Sequence, residues 1–154
     1  MDKDRLLHSY AVAKKMQEIG KNLKLTEEEL DELFVLGLNH DIGYENSEDG
    51  KNHGKIGGEI LRKSGFKYWK EVYYHGMLTN EYSSKFLDIL NCADMQIDKY
   101  GNDVGFEGRL EDIKSRYGEH SIVYKRCLEM VKDFKEKNLT HREEDPEMDE
   151  VFRS

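Results

Sequence analysis

Covalent staples are nearly absent from this chain: Cys92 and Cys127 are its only cysteines, and Pro146 is its only proline. Two thiols with no metal-type spacing build neither a disulfide framework nor a zinc site, so both read as reduced, small core residues on separate apolar helical faces. No apolar run is long enough to span a bilayer, and the N-terminal MDKDRLLHSY lacks the basic region and long apolar stretch of a secretory leader. A cytoplasmic soluble protein without a membrane partner is expected. Positive charge is also short, with 24 Lys and Arg against 32 Asp and Glu and a net charge of −8. That balance argues against a DNA or RNA groove, since phosphate backbones are held by clustered cations. Any anionic substrate must be met locally, by metal. Strand-type alternation, internal repeats and low-complexity tracts are missing too, which leaves an all-α class.

What the chain does have is helical periodicity. Its 154 residues and 37% apolar content suffice for a single core. Residues 4–19 place Leu6, Leu7, Tyr10, Ala13 and Ile19 at helical spacing, with Gly20 set to end the helix. Thr26 and Glu29 form a capping box, and Leu25 and Leu30 a hydrophobic staple. The stripe of Leu30, Leu33, Phe34 and Leu38 then runs toward Asn39-His40-Asp41. A polar loop, residues 43–52, precedes a helix over 53–63 whose apolar face is Ile56, Gly57, Ile60 and Leu61, with His53 on the same side. A short helix through Trp69, Val72 and Tyr73 ends near His75-Gly76. The stretch 83–99 buries Phe86, Leu87, Leu90, Ala93 and Ile97, and Asp94 falls on that stripe. After the glycine-rich turn 101–108, a short helix to about Tyr117 and a longer one bearing Val123, Cys127, Met130, Val131 and Phe134 close a bundle of six to seven helices. Residues 1–138 thus read as one domain and 139–154 as an acidic, mobile tail: from Thr140 onward, six acids face two bases.

Four of the six histidines belong to an ordered series, His8, His40-Asp41, His53, His75 and Asp94. Imidazole and carboxylate together hold borderline divalent metals such as Fe, Mn, Co, Ni or Zn. A lone histidine on an apolar face is more often a satisfied core residue, but Asp94 shifts the balance. An ionised carboxylate in a core costs several kcal/mol unless paired or metal-bound, and its helical face offers no Lys or Arg. A cation is the economical partner. The same holds for Asp41, where a helix end can turn two adjacent side chains toward one point.

In this series the chain resembles the HD-domain superfamily of metal-dependent phosphohydrolases. The carrying motifs are His8 in LLHSYAVA, the doublet in NHDIGY, His53 in NHGKIGGEIL, His75 in YYHG and Asp94 in NCADMQID, over roughly residues 4–100. The resemblance implies one metal on His8, His40, Asp41 and Asp94. It further implies a second on His53 and His75, with the Asp41 carboxylate bridging the two. Two ions about 3.5–4 Å apart acidify a shared water and clamp phosphoryl oxygens. With a single metal, His53 and His75 would instead donate hydrogen bonds to phosphate or protonate the leaving oxygen, so Asp41, His53 and His75 are the candidate catalytic residues.

The chain also departs from its relatives. Many dinuclear members carry lysine three residues after the doublet Asp, where Tyr44 stands here; Lys51, Lys55, Lys99 or Arg109 are the candidate substrate-binding replacements. The paired acids of the guanosine-alarmone hydrolases are reduced to Glu45, and the adjacent histidines and GYP segment of cyclic-dinucleotide phosphodiesterases are absent. The arrangement most resembles the small dinuclear members that include symmetrical diadenosine-tetraphosphate hydrolases. Asp98, one turn beyond Asp94, is a candidate to accept from a metal-held water or to orient a base. Tyr68, Trp69, Tyr73 and Tyr74 are candidates to stack a nucleobase, or core residues. The expected function is hydrolysis of a phosphoester or phosphoanhydride bond in a small nucleotide, using one or two transition metal ions. The alternatives are a non-catalytic nucleotide-binding regulatory module and a diiron oxygenase on the same ligands.

Overall fold

Two complementary hydrogen bonds start the second helix: Glu29 N–H donates to Thr26 Oγ1 and Thr26 N–H to Glu29 Oε1, each at 3.1 Å. This is the expected capping box, and serines do the same work elsewhere. Ser84 Oγ accepts from Leu87 N–H and Ser121 Oγ from Tyr124 N–H, fixing two further helix starts. The computed structural model describes residues 3–44, 52–77, 79–137 and 139. Its helices are α1 (Lys3–Asn22), α2 (Glu27–Asn39), α3 (His53–Lys63), α4 (Trp69–Tyr74), α5 (Lys85–Asp94), α6 (Gly105–Tyr117) and α7 (Ile122–Glu136). Among the described residues there is no strand, only an isolated bridge between Ile97 and Asp103. The protein is an all-α bundle, and no described helix is long and apolar enough to cross a membrane.

The first helix differs from its sequence reading. Leu6, Leu7 and Tyr10 are exposed, and the buried face is His8, Ser9, Val12, Ala13, Met16, Ile19 and Gly20. Three large apolar residues misplace the stripe when its small members are Ser9 and Ala13. Gly20 does not end the helix. Its missing side chain admits Leu30 and Leu33, whose methyl carbons would lie 2.8 Å from a Cβ there. The left-handed residue that turns the chain is Lys24, φ 61°. Helix α5 also stops early, at Asp94, because Ile97 pairs with Asp103 and Gln96 C=O accepts from Val104 N–H.

Helix α1 packs on α2 and α5, α3 on α4, and α6 on α7. Val12, Met16, Leu33, Leu36, Ile89 and Leu90 are fully buried where the first three meet. Each such side chain contributes about 1.5–3 kcal/mol by leaving water. Gly37 sets the spacing: a Cβ there would fall 2.5 Å from Ala13 Cα, so α1 and α2 touch backbone to backbone. That contact brings the His8 ring to 5.3 Å from the His40 ring. Cys92 and Cys127 are buried free thiols. Leu139 is buried and its N–H donates to Phe134 C=O, so the chain still packs on the bundle there; residues 140–154, most of the expected tail, lie outside the described residues.

Candidate metal centre

His40 and Asp41 sit where α2 runs out, the one place on a helix where neighbouring side chains can be swung to a common point. Asp41 is buried, and its two carboxylate oxygens face different partners. Oδ2 lies 3.5 Å from His8 Nε2 and 3.4 Å from His40 Nε2. Oδ1 lies 3.4 Å from His53 Nε2 and 3.7 Å from His75 Nε2. Asp94 joins the first side, with Oδ1 at 3.0 Å from His8 Nε2 and 3.6 Å from His40 Nε2. His53 Nε2 and His75 Nε2 are themselves only 3.1 Å apart. All six residues of the ordered series therefore meet at one place.

Three of the four imidazoles are aimed by the main chain. His8 Nδ1 is 2.8 Å from Asp98 C=O, His40 Nδ1 2.7 Å from Gly37 C=O and His75 Nδ1 2.6 Å from Val72 C=O. A carbonyl only accepts, so each Nδ1 carries the hydrogen and each Nε2 turns its lone pair to the cluster when the ring is neutral. Asn91 helps by accepting Gly76 N–H at 2.8 Å, which holds the turn next to His75.

The electrostatics call for a cation. Burial pulls the His40 imidazole down, but the Asp41 and Asp94 carboxylates outweigh it and raise the group to about 9 in the polypeptide alone. Burial pushes both carboxyls up, and the facing imidazoles more than reverse that, holding each below its ordinary range. His40 Nε2 is nevertheless buried without a hydrogen-bond partner. An orphaned nitrogen between two carboxylates fits a divalent ion, and such an ion would satisfy all three at once. The donor atoms fall into the groups His8/His40/Asp41, His40/His75/Asp94 and Asp41/His53/His75, within 4.8 Å in each. The first and last share only Asp41, each taking a different oxygen.

The cluster opens into a cavity of about 380 Å³, lined in part by Arg5, Tyr44, Lys99 and Arg109. Of the candidate substrate-binding cations, Lys99 and Arg109 line this cavity. Lys55 is exposed on α3 and does not line the cavity, and Lys51 lies outside the described residues. Asp98 acts through its main chain: its carbonyl aims His8, while its carboxylate accepts from Tyr100 N–H and Asn102 N–H at 2.9 Å and closes its own turn. Of the candidate stacking aromatics, Tyr68, Trp69, Tyr73 and Tyr74 do not line the cavity; Tyr68 and Trp69 pack against the hydrophobic core.

Sequence reasoning passed over Arg5. Its guanidinium lies 4.2 Å over the Tyr44 ring and donates to Asp41 Oδ2 at 3.0 Å, so positive charge enters at Tyr44 from another helix. The available signal was its place three residues before His8, on the same face of α1. A family model described as HD domain matches residues 5–129 of the chain. No curated protein and no solved structure matches it.

Proposed function

The chain belongs to the HD-domain family, and on that premise we propose that it hydrolyses a phosphoester or phosphoanhydride bond in a small nucleotide with one or two divalent transition metal ions. The observation that carries this reading is the divided Asp41 carboxylate, one oxygen facing His8 and His40 and the other facing His53 and His75. His8, His40, Asp41 and Asp94 would hold one ion, and Asp41, His53 and His75 a second. Ions bound there supply acidified water and charge neutralisation at phosphoryl oxygens.

The polypeptide's own contribution is placement and protons. In the reaction, a water oxygen joins phosphorus, the bond from phosphorus to the leaving oxygen breaks, and that oxygen takes a proton. With a single ion bound, His53 is the better suited of the two free imidazoles to proton transfer, because its side chain is 30% exposed while that of His75 is 1% exposed. Arg5, braced on Tyr44, lies beside Asp41 where a phosphoryl oxygen would arrive, and guanidinium matches that oxyanion. The regulatory alternative drew its support from the missing lysine at Tyr44; a cation already over that ring weakens the case for it.

The test is metal quantification on protein purified without chelator, coupled to phosphate release from a nucleotide panel with and without O₂. Metal-dependent release that persists without O₂ is expected. Metal-loaded protein that turns over nothing would favour a binding module, and strict O₂ dependence an oxygenase.

A further inference from the structure

The cavity has a second wall, made by α6 and α7, and its composition contradicts that of the chain. The protein carries a net −8. Yet among the described residues the charged side chains around this cavity are Arg5, Lys99, Arg109, Arg116 and Arg126 against Asp41 and Asp94. Both acids belong to the metal cluster, so any bound divalent ion would leave the cavity strongly positive.

Arg109 and Arg116 come from α6 and Arg126 from α7. All three line the cavity, as does buried Cys127. Burial raises that thiol, while the guanidiniums of Arg126 and Arg109 act on it in the opposite sense and Asp94 adds to the rise. Asp94 lines the same cavity as these arginines. Arg109 Nε is buried without a hydrogen-bond partner. Arg116 is braced by Asp112 one turn earlier. The three guanidiniums line one cavity wall together with the apolar Ile113, Val123 and Met130. An anion with several oxygens matches such a wall, since planar donors bind phosphate in pairs. On the hydrolase reading Arg5 meets the phosphoryl group at the cluster, so three more guanidiniums exceed what one phosphate can occupy.

We propose that Arg109, Arg116 and Arg126, with Lys99 at the edge, form a subsite for a second phosphate of the substrate, remote from the bond that is cleaved. The substrate class is then a nucleotide with two or more phosphates rather than a nucleoside monophosphate. This rests on the hydrolase reading, and its test separates the two. Metal-loaded wild type and the Arg116→Ala/Arg126→Ala double variant are compared on nucleoside monophosphates and triphosphates, and tripolyphosphate binding is measured by calorimetry. Arg116 and Arg126 are exposed, and metal content checks that the variant folds. The wild type should prefer triphosphates, and the ratio of kcat/KM between the two classes should fall at least about tenfold in the variant, as expected for losing charge-assisted bonds. A wild-type ratio near one, or a ratio the variant preserves, overturns the subsite. If nothing is hydrolysed the hydrolase reading fails. Tripolyphosphate binding then decides: tenfold weakening in the variant supports the subsite, and equal binding overturns it.

Discussion

His8, His40 and Asp94 reach Asp41 from α1 and from the ends of α2 and α5, three elements that share the main core, whereas His53 and His75 reach it from α3 and α4. The two halves are built differently. The first is seated among Val12, Met16, Leu33, Leu36, Ile89 and Leu90, all fully buried. The second depends on close backbone approach: the buried residues of α3 are Gly54, Gly57, Gly58 and Leu61. A Cβ at Gly58 would stand 2.8 Å from Tyr73 Cα, and one at Gly43 would stand 2.3 Å from His53 C=O. The second half is open at His53, whose side chain is 30% exposed, although His75 beside it is at 1%; in the first half His40 is at 0% and Asp94 at 24%. Apolar burial ties the first half to the core of the bundle, so the second is the half expected to tolerate alteration while the bundle persists.

The largest expected effect tests whether Asp41 joins these halves. Asp41→Asn removes the charge that both share, so metal content should fall close to zero and turnover below detection. His53→Ala should cost the open half alone, taking metal from near two per chain toward one. Elemental analysis of both variants decides, and equal losses would end the distinction.

Next in size is metal removal. A ligand that binds only the folded chain stabilises it by about 2.7 kcal/mol at a hundredfold excess over its Kd. For a chain of this length that corresponds to roughly 5–10 °C in Tm. The effect should grow with pH. A raised imidazole contributes stability fully below its unfolded value, about 6.5, and loses it as pH rises through the folded value, about 9 for His40. Lowered Asp41 and Asp94 contribute above about 4 and lose it on acidification. Chelated protein should therefore melt highest between about pH 4 and 6.5 and progressively lower toward pH 9. Metal-loaded protein gains affinity as His40 is deprotonated, so the gap widens. Melts at pH 6.5 and 9 with and without chelator check this; a constant gap would contradict it.

Gly58→Ala should cost about 1–3 kcal/mol, because the methyl meets the Tyr73 backbone rather than a flexible side-chain tip. Its signature is selective: metal held by His53 and His75 should be lost before metal held by His8, His40 and Asp94. Titration of the variant with metal, read beside its melt, would show one site weakened. Equal weakening of both would mean that the halves are mechanically one body.

The smallest effect belongs to the far end of α2. Thr26→Ala removes the capping box at about 1 kcal/mol. Metal content should not change, since the ligands lie at the other end of that helix. A melt and an elemental analysis suffice.

The local features were legible before any coordinates. Thr26-Glu29 announced the start of α2, and six residues of two ligand chemistries in order announced a His/Asp cluster that could hold a metal. Boundaries and faces were less legible where small residues do the packing. Gly20 reads as a helix end in the sequence, yet it sits within α1, as Gly37 sits within α2, where a neighbour needs the room of a side chain. The contacts that distant elements bring to the cavity left no local trace. Arg116 and Arg126 flank a turn like any solvated cations, and only the packing of α6 against α7 puts them on one wall. Asp98 shows the same limit, because its carbonyl, common to every residue type, holds His8.

That last contact, and the matching ones from Gly37 and Val72, bear on how this protein can drift through sequence space. When a side chain orients a metal-binding imidazole, one codon change can remove it. Here the orienting oxygens at 37, 72 and 98 belong to the peptide unit, which every residue type supplies. At Gly37 a side chain would be rejected for its bulk against Ala13 and not for a lost hydrogen bond, so the supporting shell is inherited with the fold itself.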